Sequence, residues 1–170
     1  MKNDTKKIKQ TKNNSEMTTP KITATNYYPN KKLVVTHISG ELEKTDVEQW
    51  AQSFKDRLEQ LADNSTFKIF INMYGFKAAN IDAHKRFRGV VPLTLAGYGW
   101  KEGYLDLFEE EARTITYRNI RGIKCVGAAH AHQDETKMDL YETKFSSNNE
   151  HFFPDPAQAR QWIENLEISN

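Results

Sequence analysis

Strand-like and helix-like segments alternate along residues 33–166, and this alternation limits the fold more than any other feature of the sequence. Residues 33–40 are rich in β-branched side chains and predict a strand that ends in a turn at Gly40. Apolar residues then recur at helical spacing over residues 46–62, behind a capping box of Thr45 and Glu48. The same order repeats further on. The sequence therefore predicts a single α/β domain, with a mostly parallel sheet and helices packed on it.

The second half of the chain continues this pattern. Further strands are predicted at residues 67–74, 120–129 and 151–153. Polar side chains that favour the N-cap position predict where three helices begin. These are Asn80 for a helix over residues 81–88, Asp134 for the helix after the third strand, and Asp155 for the last helix.

Residues 90–107 are apolar but contain Pro92, Gly97, Gly99 and Gly103. Glycine and proline weaken or break a helical pattern. We therefore predict an irregular apolar insertion here rather than one regular helix, with a helix resuming near residue 105.

The N-terminal residues differ in composition from the rest of the chain. Residues 1–32 hold eight lysines against two acidic residues, a net charge of +6, whereas residues 33–170 hold 16 basic and 21 acidic residues, a net charge of −5. Lys, Asn and Thr dominate the first segment, and such a composition buries too little apolar surface to offset the entropy of ordering. We predict a disordered basic tail over residues 1–31 and one folded domain over residues 32–168. Met17 stays open as a second candidate start.

Cysteine content and hydropathy restrict the cellular location. Cys125 is the only cysteine and lies in an apolar run, where a buried cysteine acts as a small hydrophobic residue. The first residues lack the apolar stretch of a signal peptide, and no run is long and apolar enough to span a membrane. These features predict a cytoplasmic protein that does not cross the membrane.

Several of the predicted core segments resemble the SpoIIAA-like proteins, which are relatives of the STAS and Sec14-type lipid-binding folds. The resemblance covers roughly residues 33–166, and the segments that carry it are residues 38–42, the helix with Trp50 and Phe54, residues 69–76, residues 123–129, and residues 151–163. It implies an α/β fold and a module that binds an apolar small molecule, a lipid or a partner protein.

One functional feature of the STAS group is missing from this sequence. Anti-sigma-factor antagonists of that group carry a phosphorylatable serine at the start of the helix after the second core strand. Residues 76–83 stand at that place and contain neither serine nor threonine. The resemblance therefore does not extend to a phosphorylation switch.

His130 and His132 directly follow a predicted strand, with Asp134 two residues further on. Residues two apart in an extended segment point the same way, so the two imidazoles and the carboxylate are candidate metal ligands. The pattern resembles the first part of the H-x-H-x-D-H motif of metallo-β-lactamase-type hydrolases, although Glu135 stands where that motif has its last histidine. The alternative is structural: Asp134 caps a helix and the two histidines end a strand.

A basic cluster of Lys85, Arg86 and Arg88 lies on the helix predicted after Asn80. This helix follows a strand at the carboxyl edge of the sheet, where open α/β sheets bind ligands, so the three residues are candidates for anion binding. The alternative is a solvated helix face.

Aromatic side chains are candidates for a groove that accepts an apolar ligand or partner. Glycines between them would act as hinges of a movable flap. The alternative is that they complete the core or a homodimer interface. The candidates are Tyr98, Trp100, Tyr104 and Phe108 in and after the insertion, with Tyr74 and Phe76 after the neighbouring strand.

No phosphate-binding glycine loop, nucleophile elbow or recognisable cysteine–histidine pair occurs in the sequence, and the basic tail lacks the interleaved aromatics and arginines of single-strand nucleic-acid binders. We therefore expect a non-catalytic binding or regulatory module without a cofactor, as a monomer or homodimer, that holds an apolar small molecule, a lipid or a protein partner. The alternative is a small metal-dependent hydrolase that uses His130, His132 and Asp134. A third interpretation is a regulatory protein that recruits another chain through its sheet edge or flap.

Overall fold

The computed structural model describes residues 19–168, which form one sheet with helices on both faces. The strands in these residues are β1 (Ile22–Tyr28), β2 (Leu33–Leu42), β3 (Thr66–Asn72), β4 (Phe76–Ala78), β5 (Lys124–Ala131) and β6 (Glu150–Phe153). The α-helices in the same part of the chain are α1 (Lys44–Glu59), α2 (Ile81–Ala96), α3 (Glu109–Thr114), α4 (Glu135–Phe145) and α5 (Pro156–Asn165). None of these helices is long and apolar enough to cross a membrane.

The sheet has the strand order β1-β2-β3-β5-β6, and β4 pairs with the end of β2. β1 is antiparallel to β2, whereas all other neighbouring strands are parallel. Helices connect the parallel strands: α1 lies between β2 and β3, α2 and α3 between β4 and β5, and α4 between β5 and β6. The predicted α/β class and the mostly parallel sheet are confirmed.

Both faces of the sheet are covered because side chains alternate along each strand. On β2, Val34 and Ile38 join a core with the buried faces of α1 and α2. Leu33 and Val35 on the same strand join a second core on the other face, which includes Ile163 of α5. Because β2, β3, β5 and β6 are parallel, their carboxyl ends, and the residues that follow them, lie at one common edge of the sheet.

The folded domain begins earlier than predicted. Residues 1–18 lie outside the described residues, but residues 22–28, predicted to belong to a disordered tail, form β1. This strand pairs with β2 from Ile22 opposite Ser39 to Tyr28 opposite Leu33. The prediction from composition is wrong here. An edge strand is ordered by backbone hydrogen bonds to the neighbouring strand, and these bonds do not require large apolar side chains.

Helix α2 is longer than predicted. The side chain of Asn80 accepts a hydrogen bond from the backbone N–H of Ala83 at 2.9 Å, as the N-cap prediction requires, but the helix continues through Pro92 to Ala96. Its last two turns are mostly buried, and this burial offsets the hydrogen bond that a proline removes. The irregular insertion is therefore confined to the residues after Ala96, where Gly97 follows the helix end instead of interrupting it.

Capping explains the other helix boundaries. α1 begins two residues earlier than predicted, since its capping box joins Glu43 to Asp46 rather than Thr45 to Glu48. The predicted N-caps Asp134 and Asp155 are confirmed: each carboxylate accepts a backbone N–H of the first turn, at 3.1 Å and 2.9 Å. The third predicted strand is displaced, because residues 120–122 form a 3-10 turn and β5 starts only at Lys124.

Candidate functional site

A pocket of about 170 Å3 opens at the carboxyl ends of β3 and β5. It lies between α2, α4 and residues 97–108, which follow α2 and are called the irregular segment below. This edge is where open α/β sheets most often bind ligands. Its walls are mainly apolar and aromatic, and they include Met73, Phe87, Tyr104, Phe108, Tyr141 and Phe152. Its cationic and imidazole side chains are His84, Arg88, His130, His132 and Lys137, and no acidic residue among those that the structure describes lines it.

Tyr104 organises the aromatic wall of the pocket. Its ring centroid lies 5.6 Å from that of Phe108 and 5.6 Å from that of Tyr141, one from the irregular segment and one from α4. It also contacts Phe152 of β6 edge-on at 6.2 Å. Aromatic contacts of this kind hold a wall in place through ring geometry as well as buried area. Segments distant in the sequence thus form one continuous surface.

Two cationic side chains, Arg88 and Lys137, line the pocket together with three histidines. The guanidinium of Arg88 lies 4.4 Å from the ring centroid of Phe108, and its Nε is buried without a hydrogen-bond acceptor in the described residues. Burial lowers the pKa of Lys137, and burial together with nearby cations also lowers the pKa values of His84 and His132. Burial penalises a charge of either sign, so only the contributions of Arg88 and Lys137 to the shifts of His84 and of Lys137 to that of His132 report nearby positive charge.

Next to the pocket, three titratable side chains form a buried cluster: Glu102 from the irregular segment, His130 from β5 and Glu150 from β6. Their exposed fractions are 0%, 1% and 3%. Nε2 of His130 lies 2.8 Å from Oε2 of Glu150 and 3.1 Å from Oε2 of Glu102. Among residues 19–168, this is the one group of three such side chains whose candidate metal-ligand atoms all lie within 4.8 Å of one another.

The hydrogen bonds of the cluster are incomplete. The backbone N–H of Gly103 donates to Oε1 of Glu150 at 3.0 Å and fixes that carboxylate. Neither carboxylate oxygen of Glu102 has a well-aligned hydrogen-bond partner in the described residues, and neither does Nδ1 of His130. Buried polar atoms are almost always paired, so the incomplete pairing distinguishes this cluster from the surrounding core.

Mutual interactions shift the pKa values of all three groups. Burial works against the charged form of His130, but the charges and hydrogen bonds of the two glutamates raise its pKa to about 9. Burial and the charge of Glu102 raise the pKa of Glu150 to about 8. Burial alone would raise the pKa of Glu102, but the charge of His130 and close polar contacts with Glu150, His130 and Trp100, although not well aligned, lower it. Near neutral pH the cluster thus holds an imidazolium, one carboxylate and one protonated carboxyl group.

The predicted metal triad of His130, His132 and Asp134 is not brought together. The Asp134 carboxylate caps α4, and Nδ1 of His132 accepts the backbone N–H of Asp134 at 3.1 Å. His130 instead faces Glu102 and Glu150 through Nε2. Both histidines line the pocket at the carboxyl edge of the sheet, but Asp134 does not join them there.

The structure separates the three basic candidates on α2. Arg88 lines the pocket. Arg86 forms an ion pair with Glu48 on α1 and faces away from this pocket, and Lys85 is exposed. Helical geometry explains this difference, because neighbouring residues on a helix point in different directions.

The aromatic candidates divide in the same way. Tyr104 and Phe108 line the pocket, whereas Tyr98 and Phe76 are buried in the core against Phe67 and Phe87. Trp100 is partly buried against that core. Tyr74 is 46% exposed, at a separate shallow depression beside Gly75.

Sequence reasoning missed Glu102, Glu150, Lys137 and Tyr141. Glu102 lies in the irregular segment, where apolar residues do not recur at the spacing of a helix or a strand and therefore do not indicate burial. Glu150 looks like a surface residue at the start of a short strand. For Lys137 and Tyr141 a signal did exist, since they are four residues apart on the helix that Asp134 caps and therefore share a face. Lys137 Nζ lies 5.5 Å from the ring centroid of Tyr141.

The fold and the site together define an α/β protein with one mostly parallel sheet and a small aromatic pocket at its carboxyl edge. No known protein family, curated protein or solved structure matches this chain.

Proposed function

We propose that this protein binds a compact small molecule with an apolar body and an anionic group. The observation that supports this proposal is a pocket with aromatic walls whose charged or imidazole side chains, within residues 19–168, are all basic: Arg88, Lys137 and three histidines. Pockets of this composition use apolar contacts for affinity and a few polar groups for orientation. The function is thus the non-catalytic binding expected from the sequence, with a narrower class of ligand.

The size of the pocket limits the ligand. Its volume is about 170 Å3. A protein cavity of roughly 150 Å3 holds one benzene molecule. A single aromatic ring or a short acyl chain would therefore fill the site, whereas a membrane lipid would leave most of its chain outside. Among the ligands expected from the sequence, the small molecule is favoured over the lipid.

Arg88 is the side chain best suited to hold the anionic group. Its guanidinium packs on the ring of Phe108, and one of its terminal nitrogens lies 3.6 Å from a carboxylate oxygen of Glu111. Its Nε has no acceptor among the described residues. A planar guanidinium binds a carboxylate through two parallel hydrogen bonds. Lys137 contributes a second cation from the opposite helix.

The test uses the untagged full-length protein with benzoate as a probe and benzamide as a neutral probe of the same shape. We expect benzoate to shift the backbone amide NMR signals of pocket residues and to bind at least about tenfold more tightly than benzamide, a difference of roughly 1.4 kcal/mol. Arg88→Gln should remove this preference. Lys85→Gln is the matched control, because it removes a cation from the exposed face of the same helix.

Each outcome of this titration is informative. Equal binding of the two probes would keep the pocket and reject the anionic group, and no shift with either probe at about 10 mM would reject the pocket as a ligand site. Native mass spectrometry of freshly purified protein adds a direct measurement, since a bound metabolite appears as a mass excess.

A metal-dependent hydrolase is the second candidate function, and the buried cluster beside the pocket favours it. Such an enzyme would have to use Glu102, His130 and Glu150, since Asp134 is occupied as a helix cap. Hydrolysis also requires a metal-bound water that reaches the substrate. Metal-dependent turnover of small esters or amides that stops in Glu102→Gln would favour this function over simple binding.

The relationship to the SpoIIAA-like proteins, the cytoplasmic location and the homodimer also remain proposals. Residues 38–42 and 69–73, which carry the resemblance, belong largely to buried strands, so the likeness concerns the fold. The buried free thiol of Cys125 supports a reducing compartment. Exposed apolar side chains such as Leu107 and Leu140 support a partner surface, and the mass of the native assembly tests it.

A further inference from the structure

We propose that Glu102, His130 and Glu150 bind one divalent transition-metal ion such as Zn2+, Mn2+ or Fe2+, through one carboxylate oxygen from each glutamate and Nε2 of the histidine. The three groups come from the irregular segment, the end of β5 and the start of β6, and all are at least nine-tenths buried. This site does not depend on the ligand proposed for the pocket.

The spacing of the three groups fits a metal. Metal bonds of about 2.0–2.2 Å to imidazole and carboxylate place neighbouring ligand atoms roughly 3.0–3.4 Å apart. Nε2 of His130 lies 2.8 Å and 3.1 Å from the two carboxylate oxygens. An expansion of a few tenths of an ångström would therefore admit the ion, and side chains alone can supply it.

The charges of the three groups also fit a metal. Without a metal the cluster is neutral, with an imidazolium, one carboxylate and one carboxyl group, so a metal must displace two protons to bind. A divalent cation with a neutral imidazole balances two carboxylates completely. Nitrogen and oxygen ligands of this kind suit Zn2+, Mn2+ and Fe2+ rather than the soft ions that prefer thiolates.

The unpaired atoms supply an independent indication. Glu102 is 0% exposed, yet neither of its carboxylate oxygens has a well-aligned hydrogen-bond partner in the described residues. Glu150, by contrast, is oriented through its other oxygen by the backbone N–H of Gly103, as metal-binding carboxylates usually are. The backbone thus holds one carboxylate in position, whereas the other is buried without a well-aligned donor of its own.

The test is metal binding to the untagged full-length protein, stripped with a chelator and then titrated with Zn2+, Mn2+ and Co2+. We expect one equivalent of metal per chain by elemental analysis after dialysis, a rise in melting temperature with metal, and a visible absorption band with Co2+. Glu102→Gln and Glu150→Gln preserve side-chain shape, and each should weaken binding by at least about a hundredfold, more than a change outside the ligand set.

Glu142→Gln is the matched control, because Glu142 pairs with His151 at 2.6 Å in a partly exposed contact that includes none of the three proposed ligands, and glutamine keeps an oxygen that can accept the backbone N–H of Phe152. This variant should bind one equivalent of metal. The proposal is overturned if the wild-type protein binds less than about a tenth of an equivalent, or if either glutamine variant retains full binding. Should one variant fail to fold, the other and the Co2+ spectrum of the wild type decide.

Discussion

Nε2 of His130 lies 2.8 Å from Oε2 of Glu150, and the two side chains are 1% and 4% exposed. This contact joins two adjacent parallel strands, because His130 lies near the end of β5 and Glu150 begins β6. The sheet therefore fixes both backbones, and the position of the pair does not depend on a loop. Protonation of this pair and the proposed binding of a metal ion to it should therefore both affect the stability of the fold.

We expect the stability of the chelator-treated protein to fall as the pH rises from 6 to 9. The pKa of Glu150 is raised to about 8 and that of His130 to about 9, so the folded state holds protons that the unfolded chain releases above about pH 4.5 and 6.5. Folding then takes up protons across this range. The free energy of unfolding should fall by about 2 kcal/mol or more, measured by urea unfolding at each pH.

Glu150→Gln is the control for this pH dependence, because glutamine has no proton to release. Its stability should fall less steeply between pH 6 and 8, and an unchanged slope would assign the effect to other groups. On the acid side the sign reverses: burial lowers the pKa values of His37, His84 and His132, so their contribution is lost as the pH falls below about 6.5.

Gly103→Ala should destabilise the fold and disturb the buried cluster. A Cβ at this position would overlap the carbonyl oxygen of Phe145 and lie 3.0 Å from Oε1 of Glu150. We expect a loss of about 2 kcal/mol or more in the free energy of unfolding, since neither backbone nor the held carboxylate yields easily. Gly89→Ala is the control: its Cβ meets only the side chains of Leu93 and Glu111, and alanine favours the helix. Equal losses in the two variants would contradict this prediction.

Thr36→Val should cost about 1–3 kcal/mol, because it leaves a buried indole N–H without an acceptor. Nε1 of Trp50 donates to Oγ1 of Thr36 at 2.7 Å, and the same oxygen lies 2.9 Å from Oγ1 of Thr25 on β1. The hydroxyl thus ties α1 to the first two strands. Thr23→Val on β1 is the matched control and should stay within roughly 0.5 kcal/mol of the wild type. Thermal or urea unfolding of both variants decides.

Cys125 should not react with a thiol reagent such as DTNB in the native protein. Its side chain is 6% exposed, and burial raises the pKa of the thiol well above its usual range, so little nucleophilic thiolate is present. We expect full reaction only in denaturant, with the native rate set by opening of the fold. Rapid reaction under native conditions would show that β5 is more accessible than its packing implies.

Several helices and strands are specified by residues that lie close together in the sequence. The β-branched run of β2, the apolar face with Trp50 and Phe54, and the caps at Asn80, Asp134 and Asp155 act within a few residues, so their effects can be read directly from the chain. The strand–helix alternation then leads to the parallel sheet. The same reasoning failed for β1 and for the last turns of α2, since both are stabilised by neighbours distant in sequence.

The sequence by itself therefore determined the α/β class and the edge of the sheet where His130 and Arg88 lie. Only the tertiary structure decided which partners these side chains meet. Glu102 lies in a segment whose apolar residues have no regular spacing, and Glu150 is 20 residues beyond His130. Strand pairing and the turn at Gly103 nevertheless bring both carboxylates next to the imidazole of His130. Such contacts depend on the register of β6 against β5 and on the path of an irregular segment, and neither is encoded by the spacing of residues along the chain.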